Sequence, residues 1–396
     1  MKRKEIKKIF NINRNILNII GIILLIIIIV VISIIYSIKM KREYINGDKN
    51  LPFKLDKSTI ITILDGQRKN IENDNENENL EVSIVDDIYL DYIINNQGSN
   101  QKSKISSIII DKLDIKNEFE YSYISDAGLT EDIIREIWSN KNEPEWMLDF
   151  RLKSLEIYNR MGIPNWIPDI SGLDMANIHT YVKPKVDMKE NWDEVPEEIK
   201  STFDRLGIPE AEKTSLAGVG AQYDSEVVYH SIQEDLVKQG VIYTDIETAL
   251  HEHEEIVKKY WMTLIPPTDH KWAALHGAVW SGGSFVYVPA GVQVEIPLQS
   301  YFRLNAPGAG QFEHTMIIVE EGAKLHFIEG CSAPKYDVSN LHAGAVELFV
   351  KDNATLRYST IENWSKNMYN LNTKRCVVGK GGTIEWVSGS FGSKVS

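Results

Sequence analysis

The sequence predicts an α+β chain: a helical region followed by a β-solenoid core, the whole preceded by a single membrane helix and a spacer. Three observations predict it. A nine-residue window recurs four times after Pro266 with strict alternation of apolar and polar residues. The stretch before it carries apolar residues at helical spacing. Near the N-terminus, Ile19 to Ile38 form an almost unbroken apolar run of 20 residues.

Taken in order, residues 1–42 are a basic N-terminus and the predicted transmembrane helix. Lys2, Arg3, Lys4, Lys7, Lys8 and Arg14 precede the run, and Lys39, Lys41 and Arg42 close it. Twenty apolar residues suffice to span a bilayer as a helix. The run is too long for a signal-peptide core, and no clean small-residue cleavage site follows. More positive charge lies before it than after it, which would keep the N-terminus cytoplasmic and carry the rest across. Residues 43–120 are a low-complexity spacer or small β segment, with NIENDNENENLE at 70–81 and a strand-like STIITIL at 58–64.

Residues 121–262 read as mostly helical. Thr130 is placed to cap a helix bearing Ile133, Ile134, Ile137 and Trp138 on one face. Further helical patterns run from Trp146 to about Arg160, near Pro196–Leu206, near Ser225–Lys238 and over Asp245–Trp261.

Residues 263–396 hold the repeat: VPAGVQVEI (288–296), VEEGAKLHF (319–327), VKDNATLRY (350–358) and VGKGGTIEW (378–386), with starts 31, 31 and 28 residues apart. The fourth position is always Gly or Asn, which suits a turn needing positive φ. Val292, Val294, Ile296, Ala323, Leu325, Phe327, Ala354, Leu356, Tyr358, Gly382, Ile384 and Trp386 are expected inside. Gln293, Glu295, Lys324, His326, Thr355, Arg357, Thr383 and Glu385 are expected outside. Repeats of this length that are β-rich suggest stacked solenoid coils; a sandwich of hairpins is the alternative. If the coils stack in one register, Ser300, Cys331 and Glu362 share a column, since each lies twelve residues past its window start. A carboxylate beside a thiol raises the thiol pKa, so this pair suits metal or sulfur handling better than a nucleophilic enzyme cysteine.

Composition narrows the function. A net charge of −13 leaves nucleic acid without support as a partner. Two cysteines, Cys331 and Cys376, cannot build a disulfide framework or a zinc site by themselves, and fit a reducing compartment. There is no HExxH, CxxC or phosphate loop, so any ATP chemistry belongs to a partner.

Long blocks of sequence carry a resemblance. KNEPEWMLDFRLKSLEIY (141–158), AGVGAQYDSEVVYH (217–230), PPTDHKWAALHGAVWSGGSFVYVPAGV (266–292), YFRLNAPGAGQFEHTMIIVEEGAKLHFIEGCSAP (301–334) and NWSKNMYNLNTKR (363–375) resemble the SufB/SufD family of the SUF iron–sulfur cluster assembly system, in its SufB form. The resemblance implies helices followed by a right-handed β-helix. It implies a non-catalytic scaffold that accepts sulfur and supports the building of a transient iron–sulfur cluster. Implied partners are the ATPase SufC, SufD or a second SufB copy, and a cysteine desulfurase with its sulfur carrier (SufS/SufE or SufU type). Reduced FAD is an implied cofactor, and a cytoplasmic location is implied for the SufB-like part.

The resemblance also assigns residues. Cys331, in EGCSAP, is the sulfur acceptor. Arg303, Asn305, Glu362, Trp364 and Lys380 form a polar sulfur path through the solenoid interior. The shared column, not the resemblance, makes Cys331 and Glu362 the candidate metal ligands. Glu362 stands where some relatives carry Gln. The family pattern continues past residue 396 with further coils, a second functional cysteine, a Glu/His cluster and a helical SufC-docking region, and has no counterpart to the first 120 residues. The chain is thus read as an incomplete family member with a foreign N-terminal segment, unable alone to bind SufC or hold a stable cluster.

Other histidines and the second thiol read as structural. His251 and His253 lie two apart and face different sides of a helix. His326 is a surface histidine, His270 and His276 flank a Trp-rich turn, and Cys376 is a small buried residue. Cys331 differs because a Gly–Cys–Ser–Ala–Pro bend would expose it. Two other functions are kept in view: a membrane-tethered interaction protein and a carbohydrate-active β-helix enzyme. The outer column of Glu295, His326, Arg357 and Glu385 mixes charges, one per coil, which disfavours the enzyme.

Overall fold

The computed structural model describes residues 116, 120–189, 191–205 and 216–396. The predicted membrane run and nearly all of the spacer lie outside them. Among the described residues no helix is long and apolar enough to cross a membrane.

The repeat folds as a β-solenoid of about three turns, not as a sandwich, because every ladder between successive coils is parallel. One face stacks β7 (Leu298–Arg303), β10 (Lys324–Ser332), β13 (Thr355–Asn363) and β16 (Thr383–Phe391). A second, narrow face stacks β8 (Gly310–Gln311), β11 (Asn340–His342) and β14 (Met368–Asn370). The third stacks β6 (Ser284–Val288), β9 (His314–Val319), β12 (Ala345–Val350) and β15 (Thr373–Val378). The turn position of each window has positive φ, as expected: 74° at Gly291, 67° at Gly322, 57° at Asn353 and 68° at Gly381. Asn is the residue after Gly that tolerates this region best.

Most of the expected interior is inside. Val294, Ala323, Leu325, Phe327, Ala354, Leu356 and Tyr358 are buried in one cluster with Ile317, Leu348 and their neighbours, and Val292 and Ile384 pack against it. Ile296 and Trp386 are exposed. Trp386 sits on β16, the outermost strand of its sheet. Ile296 fails for a local reason. Gln293 pairs with Lys324, but Leu298 pairs with Phe327, so two extra residues, Ile296 and Pro297, loop out of the coil. Pro297 has no N–H to give to a ladder. Ser300 consequently pairs with Glu329, not with Cys331.

Helices clothe the solenoid from outside. Thr130 caps α1 (Glu131–Lys141) by accepting from the Ile133 N–H. α1 and α2 (Glu145–Arg160) pack with α7 (Lys271–Val279) on the narrow face, through Ile134, Ile137, Leu155, Leu275, Phe312 and Leu341. α3 (Glu197–Arg205) covers β3 (Gly218–Tyr223) and the outer side of β7 and β10. α4 is a short turn of helix, Glu234–Lys238. α5 (Ile246–Glu252) and α6 (Glu254–Tyr260) cover β6, β9 and β12. Strands covered on both sides lose the alternation of a half-exposed sheet: Ile318, Ile328 and Phe349 point away from the interior yet are buried.

The region 121–262 is less helical than its spacing predicts. β1 (Tyr121–Ile124) pairs with β2 (Val182–Pro184). Ser225–Ile232, read as helix, is largely β4 (Glu226–Ile232), the antiparallel partner of β3. β3 in turn lies parallel to β7, so the solenoid sheet templates this hairpin and tertiary pairing overrides local period. β5 (Ile242–Asp245) likewise extends the third face. Conversely, α7 lies within residues 263–396, ahead of the first repeat window.

Candidate functional site

The long strands change character along their length. Inward residues of β10 run Leu325, Phe327, Glu329, Cys331, and those of β13 run Leu356, Tyr358, Thr360, Glu362. The register pairs Glu329 with Thr360 and Cys331 with Glu362. One end of the solenoid interior is therefore oily and the other polar.

The narrow face closes this polar end. Gln311, His342 and Asn370 stack in one column across β8, β11 and β14. His342 Nε2 contacts Glu313 Oε1, and His342 Nδ1 lies 2.8 Å from Asn370 Oδ1. Asn370 Nδ2 donates to Glu362 Oε2 at 2.8 Å, and Lys374 Nζ donates to Glu362 Oε1 at 2.9 Å and to Thr360 Oγ1 at 3.2 Å. Thr315 Oγ1 donates to Glu329 Oε2 at 2.9 Å. The Trp364 ring lies 4.5 Å from that of His342 and is buried beside Cys331 and Phe302.

Electrostatics here are set by burial first. Burial raises the pKa of the Cys331 thiol well above its ordinary value, and Glu329, Glu313 and Glu362 add to the rise, with Lys374 opposing. Burial likewise raises Glu329. For His342, burial opposes the imidazolium, but Glu313, Glu362 and Asn370 together outweigh it and the pKa is raised. For Glu362, burial is outweighed by Lys374 and His342, so its carboxyl is lowered. Lys374, opposed by burial but held by Glu329 and Glu362, is raised. One ligand atom each from Glu313, Cys331 and His342 lie within 4.8 Å of one another, all three residues buried, which makes them the group that could hold a metal ion among the described residues.

The expected site residues divide. Cys331, Glu362 and Trp364 come together. Arg303 does not join them: it pairs with Ser332, one residue beyond Cys331, and so faces the opposite side of the sheet. There its Nη1 donates to Ser332 Oγ at 2.8 Å. Asn305 belongs to that outer network, where its N–H and that of Ala306 donate to Asp224 Oδ1 at 2.6 and 2.8 Å and its amide donates to Tyr121 at 3.3 Å. Lys380 is exposed in the turn before β16, with its backbone N–H on Asp352 Oδ1 at 2.8 Å. Glu362 pairs with Ser390, at the other end of β16. The cation beside the cluster is Lys374.

Cys331 is also not on an exposed bend. β10 runs through it to Ser332, and the residue is 1% exposed. Cys376 pairs with Leu348 and packs against the oily end. His270 caps α7 by accepting from the Ala273 N–H, and His276 bridges Ala343 O and His314 Nδ1, each at 3.0 Å. His326 is half-buried, 3.1 Å from Ser359 Oγ. On the outer column, Arg357 and Glu385 approach to 3.8 Å as an ion pair, not as paired carboxylates.

Comparison with known proteins decides the family. The description "SUF system FeS cluster assembly, SufBD core domain" matches residues 302–396, and "SufBD protein N-terminal region" matches residues 134–300. The chain belongs to the SufBD family. It is 55% identical over 272 residues to the "Iron-sulfur cluster assembly protein SufB" of Bacillus subtilis (strain 168). It is equally similar to an "Iron-sulfur cluster assembly SufBD family protein" of Staphylococcus aureus (strain MRSA252). These matches cover 69% of this chain and 58% of each relative, so this SufBD chain spans a little over half the length of the relatives it matches. The core match begins at Phe302 on β7, and both Cys331 and the Glu313–His342 pair lie inside it.

Proposed function

We propose that this SufBD chain is a non-catalytic scaffold for iron–sulfur cluster assembly, taking up sulfur on Cys331 inside the polar end of its solenoid. The observation that carries the reading is the placement of the thiol among Glu313, Glu329, His342, Glu362 and Lys374, groups that hold iron, protons and anionic sulfur. The other thiol, Cys376, has oily neighbours, and burial pushes it up to about 11.

Uptake is a thiol–persulfide exchange. The Cys331 sulfur attacks the terminal sulfur of a donor persulfide, the donor S–S bond breaks, the donor thiolate leaves, and a new S–S bond forms on Cys331 with no net redox change. Lys374 favours the anionic forms of Cys331 along the way. Because Cys331 is buried, transfer follows opening of the interior. Within this reading a desulfurase and its carrier supply the sulfur, SufC hydrolyses ATP, and SufD or a second SufB copy completes the complex, on the cytoplasmic side. Arg303 and Asn305, on the outer network with Asp224, brace β7 from behind. Reduced FAD is the further cofactor that this reading implies.

The test is anaerobic loading of the chain with a desulfurase and its carrier, followed by mass-spectrometric mapping of the added sulfur. Label on Cys331 supports the reading. Label confined to Cys376, or full uptake by Cys331→Ser, overturns it.

A further inference from the structure

We propose that Glu313, Cys331 and His342 form a binding site for a single divalent first-row transition ion, with Asn370, Glu362 and Lys374 as the outer groups that prepare the histidine for it. The proposal rests on the scaffold reading only in naming ferrous iron as the ion in the cell.

The geometry begins at Lys374. Its ammonium only donates, so Glu362 accepts through Oε1. The second oxygen of Glu362 accepts from the amide of Asn370. That fixes the Asn370 flip, because an ionised carboxylate cannot receive the amide oxygen. Asn370 Oδ1 is left facing His342 Nδ1, and an acceptor there requires the proton to sit on Nδ1. His342 Nε2 is thereby the ring nitrogen directed at Glu313 and available as a ligand. A ligating histidine whose other nitrogen is tied to an outer partner is the usual arrangement at metal sites.

A second observation points the same way. Glu313 is 1% exposed and its Oε2 has no hydrogen-bond partner. A buried carboxylate oxygen left bare is costly, and an ion between Glu313, Cys331 and His342 would satisfy it. One sulfur, one nitrogen and one oxygen ligand suit iron, cobalt or zinc and do not suit magnesium or calcium. Three protein ligands leave a fourth position open for exchange, where sulfide or a persulfide sulfur would enter. Binding replaces the Cys331 thiol proton and the proton held between His342 and Glu313 by the ion, and the released protons go to solvent. Glu362, expected as a ligand, is engaged by Asn370 and Lys374 and stays in the outer group. The Lys374 side chain is 19% exposed against 5% for Glu362, so it marks the side from which an ion arrives.

The test is anaerobic titration of the whole chain with cobalt(II), read by its thiolate-to-cobalt charge-transfer absorption and by equilibrium dialysis. One equivalent per chain is expected, with a charge-transfer band that is kept in Cys376→Ser and lost in Cys331→Ser. Asn370→Ala, which touches no ion, is expected to keep the band and weaken binding by about 10–100-fold. Far-UV circular dichroism confirms that each variant is folded, and Asn370→Asp, which still accepts from His342 Nδ1, recovers affinity if Asn370→Ala loses it. The site is overturned by absence of a one-equivalent band, by a band that survives Cys331→Ser, or by unchanged affinity in Asn370→Ala. Sulfur labelling of Cys331 is scored separately. Labelling without cobalt binding removes the metal site and leaves the scaffold; cobalt binding without labelling does the reverse.

Discussion

The two ends of the solenoid interior are built by the same strands and do opposite things. At one end Leu325, Phe327, Leu356 and Tyr358 fill a close-packed column; two residues on, Glu329, Cys331, Thr360 and Glu362 occupy equivalent inward positions. Burying apolar side chains contributes about 25 cal/mol per Å², whereas burying carboxylates and a lysine costs free energy unless they are paired. The oily end holds the coils in register, and the polar end holds chemistry that a packed core would exclude. A parallel stack suits this division, because each change of residue type is repeated coil by coil along one column.

Breaking the oily end should have the largest effect. Leu356→Ala opens a cavity at a fully buried position and is expected to cost about 2–5 kcal/mol. Urea unfolding measures it, and a loss below about 1 kcal/mol would show that the column is not close-packed.

At the polar end, Lys374→Met leaves Glu362 buried without its cation. A cost of about 1–3 kcal/mol is expected, together with slower sulfur uptake by Cys331. Unaltered uptake in a folded variant would remove Lys374 from the chemistry.

A third position sharpens the contrast from outside. His230, on β4, is lowered from 6.5 to about 4 by burial. The unfolded chain binds a proton below about pH 6.5 and the native chain does not until about pH 4. Its stabilising contribution is thus complete above 6.5 and is lost as pH falls through that window, by on the order of 2 kcal/mol between pH 6.5 and pH 5. Stability measured from pH 7 to 5 should fall less steeply in His230→Asn than in the unaltered chain; parallel curves would refute the assignment.

The smallest change in stability is expected from Cys331→Ser, within about 1 kcal/mol by thermal melting, since the polar end contributes little to holding the coils. A collapse of the melt would mean that the two ends are not separable.

The sequence by itself determined the β-rich repeat and its coil length, and the parallel ladders decided for a solenoid over a sandwich. Period-2 alternation and a Gly or Asn turn at intervals of 31, 31 and 28 residues are local signals, and neither depends on a distant partner. The same spacing placed Cys331 beside Glu362. Carried into the short strands it also aligns Gln311, His342 and Asn370, which differ by 31 and 28, and this was the legible route to His342. Only the tertiary structure decided the rest. Pro297 shifts the first coil by two residues and moves Ser300 to Glu329, because a residue without an N–H leaves the ladder. Whether Arg303 or Lys374 serves the thiol depends on which face of a sheet each residue takes and where its coil ends, and composition is silent on both. Glu313 sits at a corner between β8 and β9, where no period applies, so its meeting with Cys331 and His342 exists only once the three faces close around one interior.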